Sequence, residues 1–94
     1  MALVDSSIIT ARSSNAKFRA TANNMTEAIE EMVSSVKNVP AYETFVSGTE
    51  IGGQLHEDLM QLQSAVQKIS DQIYSLAQRT DSFLDRQEMI NKGR

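Results

Sequence analysis

The 94-residue sequence predicts an all-α protein, an antiparallel helix-turn-helix hairpin with a coiled-coil-like seam. One proline, four glycines and few aromatic residues are typical of long helices rather than sheets. Apolar residues recur at alternating intervals of three and four in both halves of the chain, which marks one face of a helix. A chain of this length forms one core, so residues 1–94 are predicted to be a single helical-hairpin domain.

The clearest helix, helix two, is predicted over about residues 54–91. Glu57 and Asp58 stand near its start and Lys92 near its end, as the helix macrodipole favours. Its apolar stripe is the predicted seam, the line along which two helices touch. The stripe consists of Leu55, Leu59, Leu62, Val66, Ile69, Ile73, Leu76, Thr80, Phe83, Gln87 and Ile90.

Helix one is predicted over about residues 6–38. Pro40 lacks an N–H and disfavours helical geometry at the preceding residue, so we expect a break or kink there. A short helix over about 40–47 should follow, and then a turn over 48–53. The predicted seam of helix one consists of Ile8, Ala11, Asn15, Phe18, Ala22, Met25, Ile29, Met32, Val36 and Val39. The predicted turn contains Gly48, Gly52 and Gly53.

A short connection makes two long helices antiparallel neighbours, and pairing residues whose numbers add to about 101 aligns the two stripes. Two helices enclose their seam residues only by half, so the hairpin alone is marginal in stability and a partner is expected. A flank of helix two is the predicted partner surface, suited to a helical protein partner or a second copy of the chain. It consists of Met60, Tyr74, Ala77 and Leu84.

Charge and apolar content argue against several ligand classes. The formal net charge is −3, and basic residues are spread over both halves, so neither nucleic acid nor an anionic membrane surface is an expected partner. No apolar run approaches the roughly 18 residues that a membrane-spanning helix needs, so no membrane insertion is expected. The absence of cysteine excludes disulfides and thiolate metal ligands.

No catalytic or metal-binding pattern is present in the sequence. His56 is the single histidine and is expected to be a solvent-exposed residue of the first turn. Glu27, Glu30 and Glu31 lack a histidine at the spacing of a di-iron bundle and indicate a hydrated face. The glycines match no phosphate-binding motif. The sequence therefore predicts a protein that is not an enzyme and binds no cofactor or metal.

The whole chain resembles the WXG-type helical hairpins exported by type VII secretion systems. It resembles most the LXG-toxin-associated α-helical proteins, whose turn lacks the Trp-x-Gly motif. Here Phe45-Val46-Ser47-Gly48 and Ile51-Gly52-Gly53 take the place of that motif. The resemblance implies a targeting factor or chaperone that binds the helical N-terminal domain of an LXG-type toxin, or a WXG-like protein. It also implies a cytoplasmic protein before export, secreted without a cleavable signal peptide.

The resemblance further implies a C-terminal export signal read by the secretion ATPase, an aromatic residue followed four positions later by an acid. Phe83 matches the aromatic residue, while Gln87 stands where the acid is expected. Asp85 and Glu88 are the nearby carboxylates that would supply the charge. Because Phe83 is also a predicted seam residue, core packing is an alternative role for its ring.

Two other classes of protein share this helical pattern. One is a structural helical-hairpin subunit like the needle proteins of type III secretion, although their turn usually contains proline and this one contains glycine. The other is a homodimeric coiled-coil adaptor.

Overall fold

The computed structural model describes residues 3–93, which form three helices and no strand. In chain order these are α1 (Asp5–Lys37), α2 (Tyr42–Gly48) and α3 (Glu50–Lys92). The described chain is elongated, with extents of 70 × 16 × 13 Å. The all-α prediction is therefore confirmed.

The link between α1 and α2 contains Pro40. Helix α1 ends at Lys37, where the N–H of Asn38 donates to the carbonyl of Ser34 at 3.0 Å. Ala41, immediately before α2, has a left-handed backbone with φ of 58°. The short helix predicted over about 40–47 therefore begins at Tyr42, two residues later than predicted, because Pro40 and Ala41 belong to the link.

The predicted turn over 48–53 is in fact a single residue, Thr49, between α2 and α3. Its backbone is extended, and its hydroxyl oxygen accepts a 3.0 Å hydrogen bond from the N–H of Gly52, so it caps α3. Gly52 and Gly53 lie inside the first turns of α3. A Cβ on Gly52 would stand 2.0 Å from the Phe45 carbonyl oxygen. Glycine is needed there because α2 and α3 approach closely, not because the chain reverses.

Helices α1 and α3 lie side by side and run in opposite directions. The Asn91 amide donates to the Asp5 carboxylate at 2.9 Å, near the chain termini. Midway along the rod, the Thr26 hydroxyl lies 3.4 Å from that of Ser70. In both pairs the residue numbers add to about 96, so the register differs by about five residues from the predicted one.

The contact line between α1 and α3, the seam, differs from the predicted stripe. Its buried members are Ile8, Asn15, Ala22, Ile29 and Val33 on α1, and Leu59, Ser70, Ala77, Leu84 and Gln87 on α3. Several residues predicted for the seam are instead exposed by more than a third: Phe18, Met32, Leu55, Leu62, Ile69, Leu76, Phe83 and Ile90. Each helix is therefore rotated about its own axis relative to the prediction.

Candidate protein-binding face

A row of large apolar side chains runs along α3 beside the seam. Its members are seven residues apart, and each is 39–50% exposed: Leu55, Leu62, Ile69, Leu76, Phe83 and Ile90. Seven residues make almost two full helical turns, so these side chains lie on one side of α3.

A second row follows α1 and the residues at its two ends. Its members are also seven residues apart: Val4, Ala11, Phe18, Met25, Met32 and Val39. Phe18 and Met32 are about half exposed, like the members of the α3 row. We name the two rows together the apolar face.

The two rows border the same side of the rod. In each helix the row immediately precedes seam residues, as Met32 precedes Val33 and Leu76 precedes Ala77. Viewed from one end of the rod, the chain winds clockwise in one antiparallel helix and anticlockwise in the other. Residues that precede the seam by one position in each helix therefore lie on the same face of the pair. A shallow groove bounded by Met32 on α1 and Leu55 on α3 joins the rows near the α2 end.

On the opposite side of the rod, the polar side, ion pairs and hydrogen bonds join the two helices in the half farther from α2. The Arg12 guanidinium donates to Asp85 at 2.7 Å and to Glu88 at 3.0 Å, and that of Arg19 donates to Asp81 at 2.5 Å. The carboxylates of Asp85 and Glu88 raise the pKa of Arg12. These groups satisfy one another, so this part of the polar side offers a partner little free charge.

A buried amide connects the polar side to the seam. The Nδ2 group of Asn15 donates to the Ala77 carbonyl at 3.1 Å and to Asp81 Oδ1 at 3.0 Å. The hydrogen bond from Asn15, followed by that from Arg19, holds the pKa of Asp81 below its ordinary value. Asn15 was predicted to lie in the seam. Its hydrogen-bond partners Ala77 and Asp81 were not predicted, because they depend on the actual register of α1 against α3.

The predicted partner surface is not a continuous exposed surface. Ala77 and Leu84 are buried in the seam. The Tyr74 hydroxyl donates to the Asn23 side chain across the polar side. Met60, one residue after seam residue Leu59, is offset from the seam in the same direction as Tyr74. The prediction was wrong for Ala77 and Leu84, because it assumed the other seam, in which these two residues would flank the contact between the helices.

The residues of the predicted export signal do not come together. Phe83 belongs to the apolar face, whereas Asp85 and Glu88 bind Arg12 on the polar side. Gln87 is buried, and its Oε1 atom accepts a 3.0 Å hydrogen bond from the N–H of Leu3. No single surface therefore presents the aromatic ring and the acids side by side.

The single histidine is also placed differently from the expectation. Nδ1 of His56 lies 2.7 Å from the Tyr42 hydroxyl, and the imidazole is partly buried between α2 and α3. Across residues 3–93, no three His, Cys, Asp or Glu side chains are grouped closely enough to hold a metal ion. Over the same range, no helix combines the length and apolarity that crossing a membrane requires.

Comparison with known proteins finds no matching family model, no matching curated protein and no matching solved structure.

Proposed function

We propose that this chain is a binding protein rather than an enzyme, and that its apolar face receives two helices of a protein partner. The observation that supports this is the one-sided distribution of the surface. Two rows of mostly large apolar side chains are partly exposed on one side, while ion pairs and hydrogen bonds join the helices on the other. Contiguous apolar surface of this kind marks protein-binding sites.

The proposed complex is a four-helix bundle, in which the antiparallel hairpin of α1 and α3 supplies one half. Each helix of such a bundle touches two neighbours and so needs two contact stripes roughly a quarter-turn apart. The seam is the first stripe on α3. The second stripe is the α3 row together with the residues three positions after its members, and it is displaced by roughly 100° around the helix axis. The same holds for α1.

A narrower proposal concerns secretion, and its support is the sequence resemblance. On that proposal the partner is the helical N-terminal domain of an LXG-type toxin, and the chain is its targeting factor in type VII export. Phe83 then contributes to toxin binding, because it lies on the apolar face. Recognition of the complex by the secretion ATPase would not depend on Phe83 and Asp85 acting as one motif.

A matched pair of charge substitutions tests the apolar face. Ile69 lies in the α3 row, while Met60 lies on the polar side, and both are about 40% exposed. Ile69→Glu should abolish co-purification with the helical domain of an LXG toxin from a neighbouring gene, because a carboxylate would be buried without a partner. Met60→Glu should retain the complex.

Circular dichroism of both variants should show unchanged helicity, since neither side chain is buried in the monomer. Retention of the complex by Ile69→Glu, or equal loss in both variants, would contradict binding through the apolar face. Absence of any complex with the unsubstituted chain would overturn the secretion proposal.

A second candidate function is a homodimeric coiled-coil adaptor. It is favoured by the charges that stand three positions after members of the α3 row. Asp58 lies near the α2 end, and Arg79 and Arg86 lie toward the other end, so an antiparallel second copy would match them.

A further inference from the structure

We propose that α1 and α3 can turn against each other so that the apolar face closes into the seam, and that a polar network between the helices holds the face open. We name the described orientation of the helices open, because it exposes the apolar face, and the turned orientation closed. The proposal rests on the proposed function, since it concerns access to the same face. The chain thus carries a built-in contact that hides its own binding surface.

The seam and the apolar face are two overlapping stripes on each helix. The seam positions are buried or partly buried and follow alternating intervals of four and three. On α1 they are Ile8, Arg12, Asn15, Arg19, Ala22, Thr26, Ile29, Val33 and Val36. On α3 they are Leu59, Gln63, Val66, Ser70, Ile73, Ala77, Thr80, Leu84, Gln87 and Asn91. In both helices, every second seam residue directly follows a member of the apolar face.

A modest rotation exchanges one stripe for the other. Neighbouring residues are about 100° apart around a helix, so moving half of the contact positions by one residue shifts the centre of the stripe by roughly 50°. Ile29 and Val66 belong to both stripes and would stay in the contact. The two helices would turn in opposite senses, because both rows lie on the same side of the rod, and neither helix would need to slide along the other.

Burial of apolar surface favours the closed orientation. The large side chains that would enter the contact are 42–50% exposed in the open one: Phe18, Met32, Leu62, Ile69, Leu76, Phe83 and Ile90. The residues that would leave the contact are mostly polar or small, and their only large apolar members are Val33 and Leu84. The rotation would therefore remove more apolar area from water than it exposes.

The polar network opposes the rotation. It consists of Arg12, Asn15 and Arg19 on α1 and of Asp81, Asp85 and Glu88 on α3. Every ion pair in residues 3–93 belongs to this network and joins α1 to α3. When the apolar rows approach each other, the arginines and the carboxylates both move outward on the polar side. Closing would therefore separate these ion pairs.

The buried amide of Asn15 opposes the rotation in a second way. Asn15 is 2% exposed, and its Nδ2 group donates to the Ala77 carbonyl and to Asp81. Asn15 lies on both stripes and would stay in the contact, whereas Ala77 and Asp81 would turn away from it. A buried amide that loses its partners costs free energy, so the hydrogen bonds of Asn15 also favour the open orientation.

The connection between the long helices is compatible with the rotation. Helix α2 is attached to α3 by the 2.7 Å hydrogen bond between Tyr42 and His56 and by the close approach of Gly52 to Phe45. It would therefore turn together with α3. The link of residues 38–41 is exposed along its whole length, so its backbone torsions can absorb the rotation relative to α1.

Two pairs of introduced cysteines distinguish the orientations, because the chain has no cysteine of its own. Thr26→Cys/Ser70→Cys reports the open orientation, since the two hydroxyls are 3.4 Å apart. Met25→Cys/Ile69→Cys reports the closed one, because each of these residues directly precedes one of that pair. On mild oxidation of dilute protein, the internal disulfide appears as a faster monomer band on a non-reducing gel. The first pair should crosslink faster than the second, and the opposite order would refute the proposal.

Removing the ion pairs should reverse the preference. Arg12→Ala/Arg19→Ala, added to each cysteine pair, should accelerate the Met25–Ile69 crosslink about tenfold and slow the Thr26–Ser70 crosslink, because three exposed ion pairs are lost. Lys17→Ala/Arg79→Ala is the matched control. It removes the same charge from exposed residues outside these ion pairs, and should leave both rates unchanged. Unchanged rates in the arginine variant, or equal acceleration in the control, would overturn the role of the network.

Salt provides a test without any change to the network. Sodium chloride at about 1 M screens exposed ion pairs, so the Met25–Ile69 crosslink should form faster than in dilute buffer. This measurement decides the question even if circular dichroism shows that the arginine variant is unfolded, and a rate that does not rise with salt would contradict the proposal. None of these experiments uses a partner. Their failure would overturn this inference alone, because the toxin-domain experiment with Ile69→Glu and Met60→Glu tests the proposed function separately.

Discussion

The stability of the seam is best tested with two leucines of α3 that differ in their surroundings. Leu84 is 1% exposed between the helices, whereas Leu76 is 50% exposed on the apolar face. Truncating a fully buried leucine to alanine costs about 2–5 kcal/mol, so Leu84→Ala should fall in the upper part of that range. Leu76→Ala leaves little cavity and should cost about 1 kcal/mol, in proportion to the area it loses.

Urea unfolding followed by circular dichroism at 222 nm measures both free energies. The comparison belongs at low protein concentration, where self-association contributes least. If the chain self-associates through the apolar face, the penalty for Leu76→Ala should increase at higher concentration, while the penalty for Leu84→Ala should stay the same. If Leu76→Ala is as destabilising as Leu84→Ala in dilute solution, the seam follows the more apolar stripe and the described packing is wrong.

Two further predictions concern a carboxylate and a glycine. The pKa of Asp81 is lowered in the folded chain, so this group stabilises the fold above its unfolded value near 3.8, and the contribution is lost as the pH falls through the lowered pKa. Asp81→Asn should therefore lower Tm at neutral pH, with a difference that shrinks below about pH 3.8, and an unchanged difference in acid would contradict this. Gly52→Ala should destabilise the fold, because its Cβ would meet the Phe45 carbonyl oxygen at 2.0 Å, whereas Gly48→Ala meets only ordinary contacts and should be neutral or stabilising. Equal Tm values for the two glycine variants would refute the close approach of α2 and α3.

The extent of the helices could be predicted from sequence, because periodicity and Pro40 act locally. Which of two apolar stripes forms the seam could not be predicted from the sequence. On α3 two stripes with alternating intervals of three and four share Leu59, Val66 and Ile73, and they differ only in their second set of positions. Ranking by apolarity favours the stripe with Ile69 and Leu76. The folded chain buries the stripe with Ser70 and Ala77, whose small side chains let the two backbones approach.

The turn was mispredicted for a related reason. Paired glycines usually interrupt a helix, so Gly52 and Gly53 indicated a loop. The requirement for Gly52 comes from the Phe45 carbonyl of another helix, which has no local sequence signal. Thr49, three residues before Gly52, is the signal that could have located the start of α3, since threonine is a common N-cap.

The bonds at the end of the rod far from α2 have a consequence for folding kinetics. Leu3 binds Gln87, and Asp5 binds Asn91, across sequence separations of 84 and 86 residues. Such contacts require closure of nearly the whole chain, so they form after α2 and the start of α3 have brought the long helices together. Being polar and partly exposed, they are also the first to open. We therefore expect the rod to form from the α2 end and to fray from the end at which Leu3 and Asn91 lie.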